Sequence, residues 1–263
     1  MEKTIDYQGT SIWYSVEGNG EALLFLHGYL ESSDVWDGFS KRFQGEYKVI
    51  CMDIPGHGRS GVLGEIHEMS EMARVVKRVL DEEMIEKVTL FGHSLGGYVV
   101  MAFVHQFPEL TRGYVLFHST CFADNEEKKM SRDREISLVA CGKKMQIIHT
   151  NIPKAFADDN LGKMENQVDR VKKIASSNSG EGIMALLQGM KSRSDHSALL
   201  SNEKIPKLII WGRKDNYIGS EVFEKMIRIA PHAMVIILKN SGHMGFLEEP
   251  DCVFTGIIDF LNS

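Results

Sequence analysis

Proline and cysteine are scarce in this chain: six prolines and four cysteines in 263 residues. The cysteines, Cys51, Cys121, Cys141 and Cys252, lie far apart. They form no CxxC pair and no Cys/His spacing of a zinc site. Neither a disulfide framework nor a metal staple is therefore expected, and four reduced thiols are. No run of about 18 apolar residues exists, so no membrane span is expected; the longest candidate, residues 88–104, is interrupted by His93, Ser94 and three glycines. The opening MEKTIDYQGT is polar and carries two acids, unlike a signal peptide. There is no excess of positive charge either: 30 basic against 36 acidic residues give −6. That argues against a nucleic acid or an anionic membrane as partner. These lacks point to a cytoplasmic protein; the expected partner is a small-molecule substrate, with the chain a monomer or homodimer.

What remains is ordinary for a globular chain, 43% hydrophobic and 25% charged. A chain of this length buries roughly three quarters of its unfolded surface and needs no staple. Short apolar runs mark strands. Residues 12–16 alternate as a half-exposed antiparallel strand does. The continuous runs at 22–26 (ALLFL), 47–52 (YKVICM), 88–91 (VTLF), 113–117 (GYVLF), 207–211 (KLIIW) and 234–238 (MVIIL) read as strands buried on both faces. Amphipathic stretches at 33–43, 69–84, 221–229 and 252–261 read as helices, and 95–107, apolar nearly all round, as a buried helix stopped by Pro108. Strands alternating with helices predict an α/β fold with a mostly parallel sheet. The rhythm breaks over residues 122–201, which are charged and helical in pattern. The predicted organisation is a core of residues 1–121 and 202–263 with a helical insertion at 122–201.

Gly92-His93-Ser94-Leu95-Gly96 matches G-x-S-x-G. A lone match arises by chance in roughly one such chain in ten. This one follows a buried strand and opens an apolar helix, the setting in which a sharp turn exposes a serine nucleophile. The helix N-terminus then offers unpaired N–H groups to the reacting oxygen. A serine needs a base, and the base needs an orienting acid. Asp215 and His243 each sit just past a predicted buried strand, in the order Ser, acid, His, at the sheet edge where ligands bind. Asp124 is the rival acid. Upstream, His27-Gly28-Tyr29 follows the 22–26 strand, and the backbone N–H groups of Tyr29 and Leu95 are the candidate oxyanion donors. The turn Asp53–Ser60 is tight, and His57 in it reads as structural. His93 reads as packing or pocket wall.

These residues, with Gly97, the Gly212–Asp215 stretch, and Ser241-Gly242-His243 followed by Glu248 and Pro250, resemble the α/β-hydrolase fold of the small, cap-bearing serine-hydrolase kind. The resemblance spans about residues 10–262 and is weakest over the insertion. It implies an eight-stranded, mostly parallel sheet with an antiparallel second strand, helices on both faces, and a helical cap entering after the sixth strand. Dehalogenases and epoxide hydrolases of this fold use an aspartate nucleophile, and Ser94 at that position speaks against both. Within the insertion, Met184, Leu187 and Met190 follow helical spacing, and Met184 and Leu187 are the expected pocket lining. Arg193 and Asp195 resemble a charged pair tying cap to core. The ten histidines contain no HExxH, so no metal is expected, and the resemblance calls for no cofactor.

The leading expectation is hydrolysis of a small carboxylic ester or thioester through Ser94, His243 and Asp215. An alternative is a C–C bond hydrolase or lyase on a small carboxylated metabolite, which wants an arginine of the cap facing Ser94; Arg132, Arg134, Arg170 and Arg193 are available. A second alternative is a non-catalytic receptor for a small ligand.

Overall fold

The computed structural model describes residues 1–263. Eight strands form one sheet: β1 (Glu2–Tyr7), β2 (Thr10–Glu17), β3 (Glu21–Leu26), β4 (Tyr47–Met52), β5 (Val88–His93), β6 (Thr111–Phe117), β7 (Lys207–Gly212) and β8 (Met234–Leu238). Their order is β1-β2-β4-β3-β5-β6-β7-β8. β2 is antiparallel to both neighbours, and every pair from β4 onward across the sheet is parallel. The continuous apolar runs are the central strands, as buried parallel strands require. β1 escapes a reading by apolar pattern because only Ile5 in it is buried. A two-residue turn, Gln8-Gly9, both left-handed, returns it to β2.

α1 (Met69–Glu82) and α2 (Leu95–Gln106) pack on each other, and α2 also lies against β5 and β6. Between β6 and β7 the chain leaves the sheet for α3 (Glu126–Ala140), α4 (Lys144–Ala155), α5 (Glu165–Ser177), α6 (Gly180–Ser192) and the short α7 (Ser197–Leu200). α8 (Ser220–Ile229), the four-residue α9 (Gly245–Glu248) and α10 (Pro250–Leu261) complete the chain. The stretch 33–43 is not one helix. It forms two 3-10 turns, Ser33–Trp36 and Ser40–Phe43, interrupted by Gly38 at φ 87°.

The inserted helices are seated on the sheet through backbone contact. A Cβ on Gly182 would stand 1.9 Å from the carbonyl oxygen of Gly56, so α6 lies directly on the Asp53–Ser60 turn. The same face continues to His67, whose N–H donates to the Ala185 carbonyl at 3.0 Å. Gly182→Ala must push this helix off its seat and is expected to cost about 1–3 kcal/mol by overpacking. Gly162→Ala, with nothing within 4 Å of its Cβ position, is the control expected to be near neutral. Urea unfolding of the two variants checks this; equal stabilities would show that α6 is free to shift.

Candidate active site

Ser94 follows β5 directly and opens α2 at φ 50°, ψ −110°, a conformation rare for a residue with a Cβ. Neighbouring elements hold it there. Its N–H donates to the Phe117 carbonyl at the end of β6 (2.9 Å), and its carbonyl accepts from the Ser119 hydroxyl (2.7 Å). The turn is possible only with glycine at position 96, whose Cβ would stand 2.4 Å from the Leu26 carbonyl oxygen. Strand and helix thus pass at backbone distance, as the G-x-S-x-G pattern requires.

His243 lies in the loop between β8 and α9. Its Nδ1–H donates to Asp215, at 2.8 Å from Oδ2 and 3.0 Å from Oδ1. Asp215 Oδ1 also accepts the N–H groups of Tyr217 (2.8 Å) and Ile218 (3.0 Å). A further group touches Asp215 that sequence reasoning missed: His118, fully buried just past β6, places Nδ1 3.2 Å from Oδ2. Burial pushes the Asp215 carboxyl up, but the His243 charge and the bonds from His118 and His243 outweigh it and hold it well below the usual range. Burial drives the His118 imidazole down to about 4, so it is neutral.

The loop after β3 supplies the other half. Gly28 N–H donates to Glu31 (2.6 Å) and Leu30 N–H to His57 Nε2 (3.1 Å), while the Tyr29 N–H between them meets no protein acceptor. Leu95, first residue of α2, has no intrahelical acceptor for its N–H. Both N–H groups are thus left without a protein acceptor at the end of the sheet. Glu31 was also missed. Its Oε2 lies 3.0 Å from His93 Nδ1, and His93 Nε2 donates to the His243 carbonyl at 2.9 Å. Burial opposes charge on both. Their mutual attraction outweighs it, raising the His93 imidazole and lowering the Glu31 carboxyl. A buried ion pair thus links the Tyr29 loop, the residue before Ser94 and the backbone of His243.

Ser94, His243 and Tyr29 line one cavity of about 470 Å³. The insertion supplies Arg132 and Glu135 on α3, Ile152 on α4, Val171 on α5 and Met190 on α6, and the core adds Tyr98, Tyr217 and Met244. Met184 and Leu187 do not line it. Leu187 is fully buried in the core and Met184 packs beside that core, because α6 turns these positions away from the cavity and presents Met190. The Arg193–Asp195 pair does not form either. Arg193 donates to Asp124 (2.6 Å) and lies 3.9 Å over the Tyr98 ring, while Asp195 accepts locally from the Ser197 N–H. Asp124, the rival acid, is held between Arg132 and Arg193. His57 is structural: it accepts the Leu30 N–H at Nε2 and donates to the Gly56 carbonyl at Nδ1 (2.8 Å).

A model of the family described as alpha/beta hydrolase fold matches residues 21–250, and the chain belongs to that family. Among solved structures it is similar to a thermophilic esterase from Thermogutta terrifontis, solved with malate bound, at TM-score 0.94 and 25% identity, covering 100% of this chain and 98% of that one. The enol-lactonase of Burkholderia xenovorans LB400 shares the fold at TM-score 0.91 and 16% identity, over 99% and 100% of the two chains. Among curated proteins, a 2-hydroxy-6-oxononadienedioate/2-hydroxy-6-oxononatrienedioate hydrolase from Cupriavidus pinatubonensis is 25% identical over 92% of this chain and 87% of its own length. No helix is long and apolar enough to cross a membrane.

The buried neutral histidines make stability depend on pH. Burial drives His57 down to about 3 and His118 down to about 4. Each is therefore protonated near pH 6.5 only when unfolded. The unfolded state binds more protons below that pH, so stability falls with acidification, by about 2 kcal/mol per histidine between pH 7 and pH 5. His93, raised by Glu31, acts in the opposite sense and offsets part of this. The unfolding free energy from urea titrations is expected to be lower at pH 5 than at pH 7 by a net few kcal/mol; equal or higher stability at pH 5 would contradict the neutral assignment.

Proposed function

We propose that this α/β hydrolase is a serine hydrolase of small carboxylic esters or thioesters. The observation that carries the reading is the 2.8 Å Asp215–His243 bond beside a left-handed Ser94 in one cavity. Ser94 Oγ attacks the carbonyl carbon while His243 Nε2 takes its proton. The oxyanion formed is held by the N–H groups of Tyr29 and Leu95. The bond to the leaving oxygen or sulfur breaks, and His243 returns its proton to that atom. Water then attacks the acyl-Ser94 ester through the same base, releasing the acid and regenerating the serine. Asp215 fixes the imidazole tautomer and stabilises the cation throughout. The inserted helices act as a cap, limiting the acyl group to what fits beneath Arg132, Ile152 and Met190. The esterase from Thermogutta terrifontis supports this reading.

One observation favours a second reading, hydrolysis of a C–C bond in a carboxylated substrate. Arg132 lines the cavity and is the cap arginine such a substrate wants, and the Cupriavidus relative is named for a dienedioate. Arg132 is, however, already engaged by Asp124, so an ester remains the first choice.

Ser94→Ala is expected to lower kcat on p-nitrophenyl esters by on the order of 10⁴–10⁶ with folding intact, and to abolish labelling by an active-site phosphonate. A folded Ser94→Ala protein with wild-type turnover would sink the mechanism, and a wild-type protein that neither turns over nor labels would indicate a ligand receptor. For the acid, Asp215→Asn is expected to lower kcat by roughly 10⁴, by favouring the wrong tautomer. Asp124→Asn is expected to act on stability instead, by leaving Arg132 and Arg193 without their shared anion. A reversed pattern in the two kcat values would reassign the acid to Asp124.

A further inference from the structure

We infer that His118 is a positioning residue for the Asp215–His243 pair: a fixed donor that divides Asp215 Oδ2 between two imidazoles and so sets how strongly the carboxylate holds the His243 cation. The inference rests on the reading of Ser94, His243 and Asp215 as the catalytic set.

Geometry fixes the tautomer. Gly245 N–H donates to His118 Nε2 at 3.1 Å, so that nitrogen carries the lone pair. A neutral imidazole then has its hydrogen on Nδ1, the atom 3.2 Å from Asp215 Oδ2. Gly245 opens α9, two residues after His243, so His118 is bonded on one side to the acid and on the other to the segment that carries the base. The ring is fully buried. Its backbone is left-handed at φ 47°, a conformation that is strained for a histidine and persists where surroundings enforce it. Here the His118 N–H donates to the Ile210 carbonyl of β7 at 2.9 Å. The ligating atoms of His118, Asp215 and His243 lie within 4.8 Å of one another, and both ring nitrogens of His118 are spent in these bonds.

An ionised carboxylate has about four acceptor sites. Asp215 uses two on the N–H groups of Tyr217 and Ile218 and shares Oδ2 between His118 and His243. Each donor to the charged form weakens what the others receive. Removing His118 leaves Oδ2 to His243 alone, makes Asp215 a stronger acceptor, and favours the imidazolium of His243 over the neutral base. The other groups facing His243 are unchanged by that removal. They are the His93 ring at 5.0 Å, backed by Glu31, and the Tyr217 ring at 5.0 Å, with the Lys154 ammonium 5.0 Å from the centre of that phenol ring.

Two amide substitutions separate the roles of the two nitrogens. His118→Asn places its amide near Nδ1 and keeps a donor for Asp215. His118→Gln reaches toward Nε2 and keeps an acceptor for Gly245 while losing that donor. The readout is the pH profile of kcat/KM on a p-nitrophenyl ester. In His118→Gln the acid limb is expected to move up by about one pH unit, so that kcat/KM falls about 10-fold below the limb while the plateau above it is kept. In His118→Asn the limb is expected to stay at the wild-type position. Equal profiles in all three proteins, or the same shift in both variants, would make His118 a packing residue and overturn the inference. Nitrogen NMR of the wild-type protein tests the geometry without activity. A neutral Nδ1–H tautomer from pH 5 to 8, assigned through coupling to the Gly245 amide, is expected, and any other form overturns the inference. Wild-type ester turnover and phosphonate labelling of Ser94 are measured first. Their absence would sink the hydrolase reading, whereas their presence with an unmoved His118→Gln profile sinks only the role of His118.

Discussion

Three neighbouring parallel strands, β3, β5 and β6, end at one edge of the sheet, and just past each of them a residue with a Cβ is forced into the left-handed region: Leu30 at φ 62°, Ser94 at 50° and His118 at 47°. Each conformation costs of order 1–3 kcal/mol unless the surroundings impose it. In each case the constrained residue's own N–H is bonded across to another segment: Leu30 to the His57 ring, Ser94 to the Phe117 carbonyl, His118 to the Ile210 carbonyl. The bonds tie each turn to a neighbouring segment: Leu30 to the Asp53–Ser60 turn, Ser94 to the end of β6 and His118 to β7. The other two left-handed residues with a Cβ, Gln8 and Met84, sit in turns away from this edge. The geometry of the candidate site is thus a property of the sheet edge as a whole. Ser94 is exposed to the cavity because β6 lies beside β5 in register, His93 opposite Phe117.

Histidine is the material of which this edge is braced. His27 accepts the Ile54 N–H at Nε2 (2.9 Å) and donates to the Gly28 carbonyl from Nδ1 (2.8 Å); His57 does the same between Leu30 and Gly56. A neutral imidazole is one donor and one acceptor on a rigid ring, so when buried it can join two loops while satisfying both its own polar atoms. The two rings stack at 5.9 Å and support the Tyr29 loop from below. Burial that suits bracing also keeps these rings from ionising, which leaves His243 as the histidine at the edge with its Nε2 toward the cavity chemistry. His93 is the exception among the braces. Both its nitrogens face acceptors, so it needs Glu31 to supply the negative charge.

The strand runs, the elbow and the order Ser94, Asp215, His243 were legible because each rests on a short local signal: continuous burial, glycine at close approach, a polar residue just past a strand. That last signal also marks His118, directly after the GYVLF run, but a polar residue past a strand does not by itself show which loop it meets. Glu31 carried no signal, since an acid in a loop reads as solvated until its partner, sixty-two residues away at His93, is brought against it. Helical spacing in the insertion identifies apolar faces but not what they face, so it points to Met184 and Leu187 as lining although Met190 has that place. Arg193 was paired with Asp195 by proximity in sequence, whereas Asp124 reaches it through the fold.

The insertion and His243 are not independent parts. His243 N–H donates to the Ala155 carbonyl at the end of α4 (2.7 Å), and Glu248, in the helix after His243, accepts from the Ala157 N–H and the Asn160 amide (both 2.8 Å). The same Glu248 accepts the Gly242 N–H at 2.8 Å. One carboxylate therefore fixes both the turn that presents His243 and the segment leaving α4, the helix that supplies Ile152 to the cavity wall. A shift of α4 along its axis would change the space above Ser94 and pull on the backbone of His243 in the same movement. Cavity shape and the position of His243 are thus set together, by the His243–Ala155 backbone bond and the Glu248 carboxylate.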